Sequence, residues 1–82
     1  MSEYNQPIIT LTTDFGLRDP YVAAMKGMLL RECPEANIID VCHDVPPHQV
    51  LHAAYVLAHA APYFPEGSIH VVVVDPGVGT DR

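Results

Sequence analysis

Residues 68–82 read "SIHVVVVDPGVGTDR", and Ser68 to Val74 decide the fold. A strand with one wet face alternates apolar and polar side chains. This run is apolar and β-branched with little alternation, as expected of a strand covered on both faces in a parallel sheet. Asp75 ends the run, and a loop with Pro76, Gly77 and Gly79 follows. The stretch therefore predicts a parallel α/β sheet with an acid at the carboxyl end of one strand.

Working outward, "PEG" at Pro65 to Gly67 is a turn. Before it, Pro46 and Pro47 are placed to open a helix that stops near Pro62. Val50, Leu51, Ala54, Leu57 and Ala58 are its expected core face. "NIIDVC", Asn37 to Cys42, is a second short strand. A helix is predicted from Tyr21 to about Glu32, with Val22, Met25, Met28 and Leu29 on one face and Lys26 and Arg31 free to reach water. Asp19 followed by Pro20 is an N-cap signal at its start, and Pro34 ends it. "PIITLTT", Pro7 to Thr13, is β-branched and apolar and reads as a buried first strand. The order is β-α-β-α-β, an α/β class chain with a parallel sheet, flanking helices and right-handed crossovers. A doubly wound sheet ordinarily continues with another helix. Residues 1–82 are accordingly expected to be an incomplete, truncated amino-terminal α/β domain.

Composition narrows the function. The chain has 82 residues, 49% of them hydrophobic. That is more apolar material than so short a chain readily covers by itself. Association, or membership of a larger unit, is expected. The formal net charge of −6 provides no cationic footprint for nucleic acid or for a membrane surface. No apolar run approaches the ~20 residues of a transmembrane helix. Met1 to Gln6 lacks the pattern of a signal peptide. Cys33 and Cys42 are not a CxxC pair and read as reduced thiols of a cytoplasmic protein.

In parallel α/β sheets ligands bind beyond the carboxyl ends of the strands. Asp14 follows the first strand, His43 and Asp44 the second, and Asp75 the third, so all are expected along one rim. Three readings stay open: aspartates that cap loops, carboxylates that hold a divalent metal, as in many phosphohydrolases, or carboxylates that accept ribose hydroxyls. Gly77 to Gly79 lacks the GxGxxG and GKT/GKS spacings of phosphate loops, and more simply lets backbone approach a ligand. His48, His52, Tyr55 and His59 share one helical stripe. "HQVLH" lacks the glutamate of HExxH, so a polar outer face accounts for the stripe without metal. His48 stands apart, close enough to the rim to pack on a ligand.

Three stretches together carry a resemblance: "ITLTTDFGLRDPYVAAMKG", "IIDVCHDVPPH" and "FPEGSIHVVVVDPGVGTDR". In this order and spacing, from Ile8 to Arg82, they resemble the amino-terminal part of the S-adenosyl-L-methionine (SAM) hydroxide adenosyltransferase family, the SAM hydrolases, relatives of the fluorinating and chlorinating enzymes. The resemblance implies an α/β SAM-binding domain followed by a smaller β-rich domain. It implies trimers with sites between subunits, SAM as substrate, and no metal or cofactor. Water or hydroxide would attack the ribose C5′ and release methionine, leaving adenosine. Asp14 matches the acid that binds the ribose hydroxyls. Asp19 matches a residue lining the nucleoside pocket, its N-cap role remaining an equal explanation. His48 falls where halogenating relatives set an aromatic residue against the substrate. Asp75 and Arg82 match two members of an Asp-Arg-His set that positions the attacking water. The histidine lies further along the family's sequence.

The halogenating relatives lack this aspartate. A carboxylate would repel halide but accepts a hydrogen bond from water. Sulfonium already leaves readily, so the remaining task is to hold water in line with C5′ at roughly 3–3.5 Å. The expected function is SAM hydrolysis, with residues 1–82 inactive by themselves. The alternative is a non-catalytic module that binds SAM or a nucleoside, or that only assembles.

Overall fold

The computed structural model describes residues 6–46 and 48–75. Strand β1 (Ile8–Thr13) leads through helix α1 (Tyr21–Glu32) to β2 (Asn37–Cys42). Helix α2 (Val50–Ala60) and a short 3-10 turn (Ala61–Tyr63) then lead to β3 (Ile69–Val73). Both neighbours of β1 run parallel to it, in the order β2-β1-β3. The first crossover leaves β1 toward one side. The second passes back over it to the other, so right-handed crossovers set the two helices on opposite faces.

β1 therefore has both edges bonded and both faces covered. All its residues except Leu11 branch at Cβ, which suits a pleated buried strand. Ile9 to Thr13 are buried, and Thr10, Thr12 and Thr13 are wholly so. The sequence reads Pro7–Thr13 as a buried strand, which holds, but it also expects Ser68–Val74 to be covered on both faces. In the described sheet β3 is an outer strand, with Ile69 52% and Val72 38% exposed. Connectivity overrode apolarity here: both crossovers pivot about β1, so the threonine-rich strand occupies the centre.

Register on the β3 side is regular, from Ile9↔Ile69 to Thr13↔Val73. On the β2 side it slips once, Leu11 pairing with Asp40 but Thr12 with Cys42. Val41 is thus an extra residue, and such a bulge re-aims whatever follows it. In a regular strand residues 40 and 43 would point to opposite faces. The bulge restores parity, and Asp40 and His43 meet through Oδ1 and Nε2 at 2.8 Å.

The helices depart from their expected faces in instructive ways. In α1, Val22 is buried and Met25 and Leu29 half-buried, as the periodicity predicts, while Met28 is 65% exposed. Pro20 is the residue at the α1 cap and no side chain bonds the helix start, so Asp19 does not cap it. Instead the Ala24 amide closes the first turn on the Pro20 carbonyl at 2.9 Å. α2 begins at Val50, later than the two prolines suggest, with Gln49 at its cap. Its inward stripe is Ala53, Val56, Leu57 and Ala60 rather than the predicted set; of that set only Leu57 is partly covered, and Leu51 is 85% exposed. Apolar residues surround this helix almost completely, so hydrophobic periodicity carries little contrast and packing alone chooses the stripe. The helix ends at Ala60 and Pro62 sits in the 3-10 turn beyond it, as expected.

Two of the three buried β1 threonines have partners. Thr10 Oγ1 meets His70 Nδ1 at 2.7 Å, and Thr13 Oγ1 meets His43 Nδ1 at 2.7 Å. Thr12 Oγ1 is buried with no hydrogen-bond partner among the described residues. An unpaired buried hydroxyl costs ~1–3 kcal/mol. Thr12→Val keeps the shape and removes the hydroxyl, so it should raise stability by about 1 kcal/mol in urea unfolding.

Candidate functional site

Parallel strands deliver their carboxyl ends to one rim. In the 2-1-3 order the topological switch point lies between β1 and β3. Asp14 leaves the end of β1 and Asp75 lies two residues past the end of β3. Across that crevice the Asp75 amide donates to Asp14 Oδ2 at 3.1 Å. From the α2 side, His48 Nδ1 lies 3.2 Å from the Asp75 carbonyl oxygen. A carbonyl only accepts, so the His48 hydrogen on this contact is on Nδ1. Asp75 is thus held at its backbone N–H by one predicted site residue and at its C=O by another.

His48 reaches this position in a left-handed backbone conformation, φ 66°. Such geometry is uncommon outside glycine and persists where surroundings impose it. A shallow recess of about 400 Å³ opens beside it, lined by His48, Gln49, Val50 and Leu51.

The loop that carries Asp14 is pinned to the end of β2. Val45 N–H donates to the Thr13 carbonyl at 3.2 Å, and Gly16 N–H to the His43 carbonyl at 2.7 Å. Phe15 N–H donates to Thr13 Oγ1 at 3.2 Å. The Phe15 ring rests against Tyr21 of α1, centroids 5.9 Å apart. Gly16 has φ 71°, the turn that brings its amide back to β2.

Behind this loop, buried His43 contacts Asp40, and Lys26 Nζ contacts the other Asp40 oxygen at 2.9 Å. The hydrogen bond from His43, followed by that from Lys26, holds the Asp40 carboxyl below its ordinary value.

The remaining expectations divide. Asp44 stands at the end of β2, on the far side of β1 from Asp75. Two strand spacings separate these ends, about 10 Å. Its amide bonds Cys42 Sγ at 3.4 Å. Asp19 is exposed ahead of α1. Arg82 and the glycines of Gly77 to Gly79 lie outside the described residues. Of the expected stripe, His48 lies ahead of α2 and outside it, while His52, Tyr55 and His59 form an exposed aromatic stack: Tyr55 and His59 centroids lie 4.2 Å apart, and His59 Nδ1 donates to the Tyr55 carbonyl at 3.0 Å. Among the described residues no three His, Cys, Asp or Glu side chains are grouped to hold a metal ion. Sequence reasoning placed His43 on the rim but missed its partners. The Asp40-x-x-His43 spacing is a signal only once the bulge is known.

A family model for the SAM hydroxide adenosyltransferase N-terminal domain matches residues 9–82. The chain belongs to the SAM hydroxide adenosyltransferase family. Its relatives in the family include (R)-S-adenosyl-L-methionine hydrolases. The one from Methanocaldococcus jannaschii is 52% identical over 79 residues, covering 92% of this chain and 30% of the relative. The one from Salinispora arenicola is 55% identical over 76 residues, covering 93% and 29%. A fluorinase from Nocardia brasiliensis is 36% identical over 75 residues, covering 92% and 25%. Among solved structures, a conserved hypothetical protein from Thermus thermophilus superposes with a TM-score of 0.76 at 48% identity, covering 94% of this chain and 32% of that one. An uncharacterized conserved protein from Thermotoga maritima gives 0.80 at 44% identity, covering 90% and 28%. The chain thus spans about 30% of the length of the curated hydrolases it matches.

The Asp40 network predicts a pH dependence. Its folded-state value is depressed, so its contribution is fully present above the ordinary value of 3.8 and is lost as pH falls through the lower folded value. Asp40→Asn should be less stable than the parent at pH 6. The difference should shrink toward zero at the most acidic pH, in urea unfolding followed from pH 6 to pH 2.

Proposed function

We propose that this chain is the amino-terminal, substrate-binding part of a SAM hydrolase. Water or hydroxide attacks C5′ of the adenosyl group. The O–C5′ bond forms as the C5′–S bond breaks, and that electron pair neutralises the sulfonium. The water proton is released, and the products are adenosine and L-methionine. The single observation that carries the reading is the 3.1 Å contact between Asp14 Oδ2 and the Asp75 amide. It sets a carboxylate suited to vicinal ribose hydroxyls next to a second carboxylate residue, in the crevice where a doubly wound sheet takes nucleotides.

Asp14 binds the ribose hydroxyls, its Oδ1 being the oxygen assigned to them. Asp75, with Arg82, orients the attacking water. Asp19 lines the nucleoside pocket. His48 is assigned to substrate binding from the edge of the recess, and its contact with the Asp75 carbonyl also fixes the water-orienting residue. SAM enters as substrate, and the mechanism calls on no metal and no further cofactor. Identities of 52% and 55% to hydrolases against 36% to a fluorinase support water over halide as the nucleophile.

No helix among the described residues is long and apolar enough to cross a membrane. The full-length protein is proposed to act in the cytoplasm as a homo-oligomer, a trimer. The exposed Leu51, Tyr55 and Tyr63 support association.

The test uses the full-length protein with SAM and chromatographic detection of adenosine. Asp75→Asn should lower kcat on the order of 100-fold or more while KM changes little. Asp14→Ala should raise KM on the order of 10-fold. Full activity in excess chelator is expected. SAM binding without adenosine release would assign the chain to a non-catalytic binding module instead.

A further inference from the structure

His43 is among the most buried polar residues described, and the catalytic reading does not use it. Both of its ring nitrogens are engaged, Nε2 by Asp40 at 2.8 Å and Nδ1 by Thr13 Oγ1 at 2.7 Å. An ionised carboxylate only accepts, so Nε2 carries the hydrogen. In the neutral ring Nδ1 is then an acceptor, and the Thr13 hydroxyl is its donor. With its one hydrogen committed, Thr13 Oγ1 presents lone pairs, and Phe15 N–H donates to it. Lys26 closes the far end of the chain on Asp40 Oδ2. With the ring neutral each link has one direction, and the Phe15 N–H bond to Thr13 Oγ1 fixes the peptide that joins Asp14 to Phe15. The Gly16 bond to the His43 carbonyl anchors the same loop one residue further on.

We infer that His43 is a positioning residue for Asp14: acting through Thr13, it aims the carboxylate that takes the ribose hydroxyls. The inference rests on the nucleoside-binding reading given above. Asp14 accepts the Asp75 amide across the crevice, and the direction of its carboxylate follows from how its own backbone is held. Asp14 lies one residue beyond the end of β1, and its loop is held through Thr13 and the end of β2. The clamp therefore comes from β2, and the Val41 bulge is what turns His43 toward Thr13 and Asp40 at once.

The probe is adenosine, and the measurement is titration calorimetry on the full-length protein well below its melting midpoint. Two substitutions split the imidazole. His43→Asn places an amide oxygen near the Nδ1 position and keeps an acceptor for Thr13. His43→Gln reaches toward Asp40 and offers Thr13 nothing at that position. Thr13→Val removes the hydroxyl at constant shape and covers the case in which a His43 variant does not fold. Adenosine affinity should fall on the order of 5- to 10-fold for His43→Gln and Thr13→Val. His43→Asn should stay within about 2-fold of the parent. A role in stability alone would lower melting midpoints and leave the affinity of the folded protein unchanged. If Asp14→Asn weakens adenosine but His43→Gln and Thr13→Val bind like the parent, the positioning role is wrong and the nucleoside reading stands. If the parent does not bind adenosine, both fall together.

Discussion

A strand with both edges bonded and both faces covered can satisfy a polar side chain only through a partner from another element. β1 is such a strand, and its threonines face this constraint. Thr10 meets it with His70 of β3 and Thr13 with His43 at the end of β2. These bonds tie the central strand to both neighbours through side chains as well as backbone. The second one also sets the geometry of the loop above it. Burying a hydroxyl at the end of the central strand is costly unless it is paired, and its pairing here lies at the base of the loop that carries Asp14.

The same constraint explains why the rim is asymmetric. The crevice between β1 and β3 holds the Asp14–Asp75 contact, with His48 closing it from the α2 side. The groove between β1 and β2 is filled instead by the Thr13, His43 and Asp40 chain, with Lys26 of α1 at its end. One side of the central strand is filled by this chain of side chains, and the other holds the Asp14–Asp75 contact where the ligand is proposed to bind. Asp44 falls on the filled side, which is why it does not join the other two acids although all three leave strands at the same end of the sheet.

Much of this was legible in the residues. The β-branched run at Pro7–Thr13 and the prolines at 34 and 62 marked elements and ends that the structure reproduces to within about two residues. Asp14 and Asp75 were assigned to one rim by topology, and the contact between them agrees. What was not legible has physical causes. Valine density at residues 71–74 describes a preference for burial, but which strand is central depends on the order of crossovers. On α2 an apolar residue occupies nearly every direction, so Ala53 rather than Val50 or Leu51 turns inward. Asp19 resembles a cap in sequence, yet the chain enters α1 through Pro20.

By itself the sequence determined the element order, the parallel α/β class, the family and the acids at the strand ends, because these follow from local pattern and from motifs in order. Only the tertiary structure decided that Thr12 lies opposite Cys42 rather than Val41, and hence that Asp40 and His43 share a face. A register slip depends on the partner strand and leaves no periodic trace in its own residues. The aim proposed for Asp14 rests on that slip, and so it belongs to packing rather than to pattern.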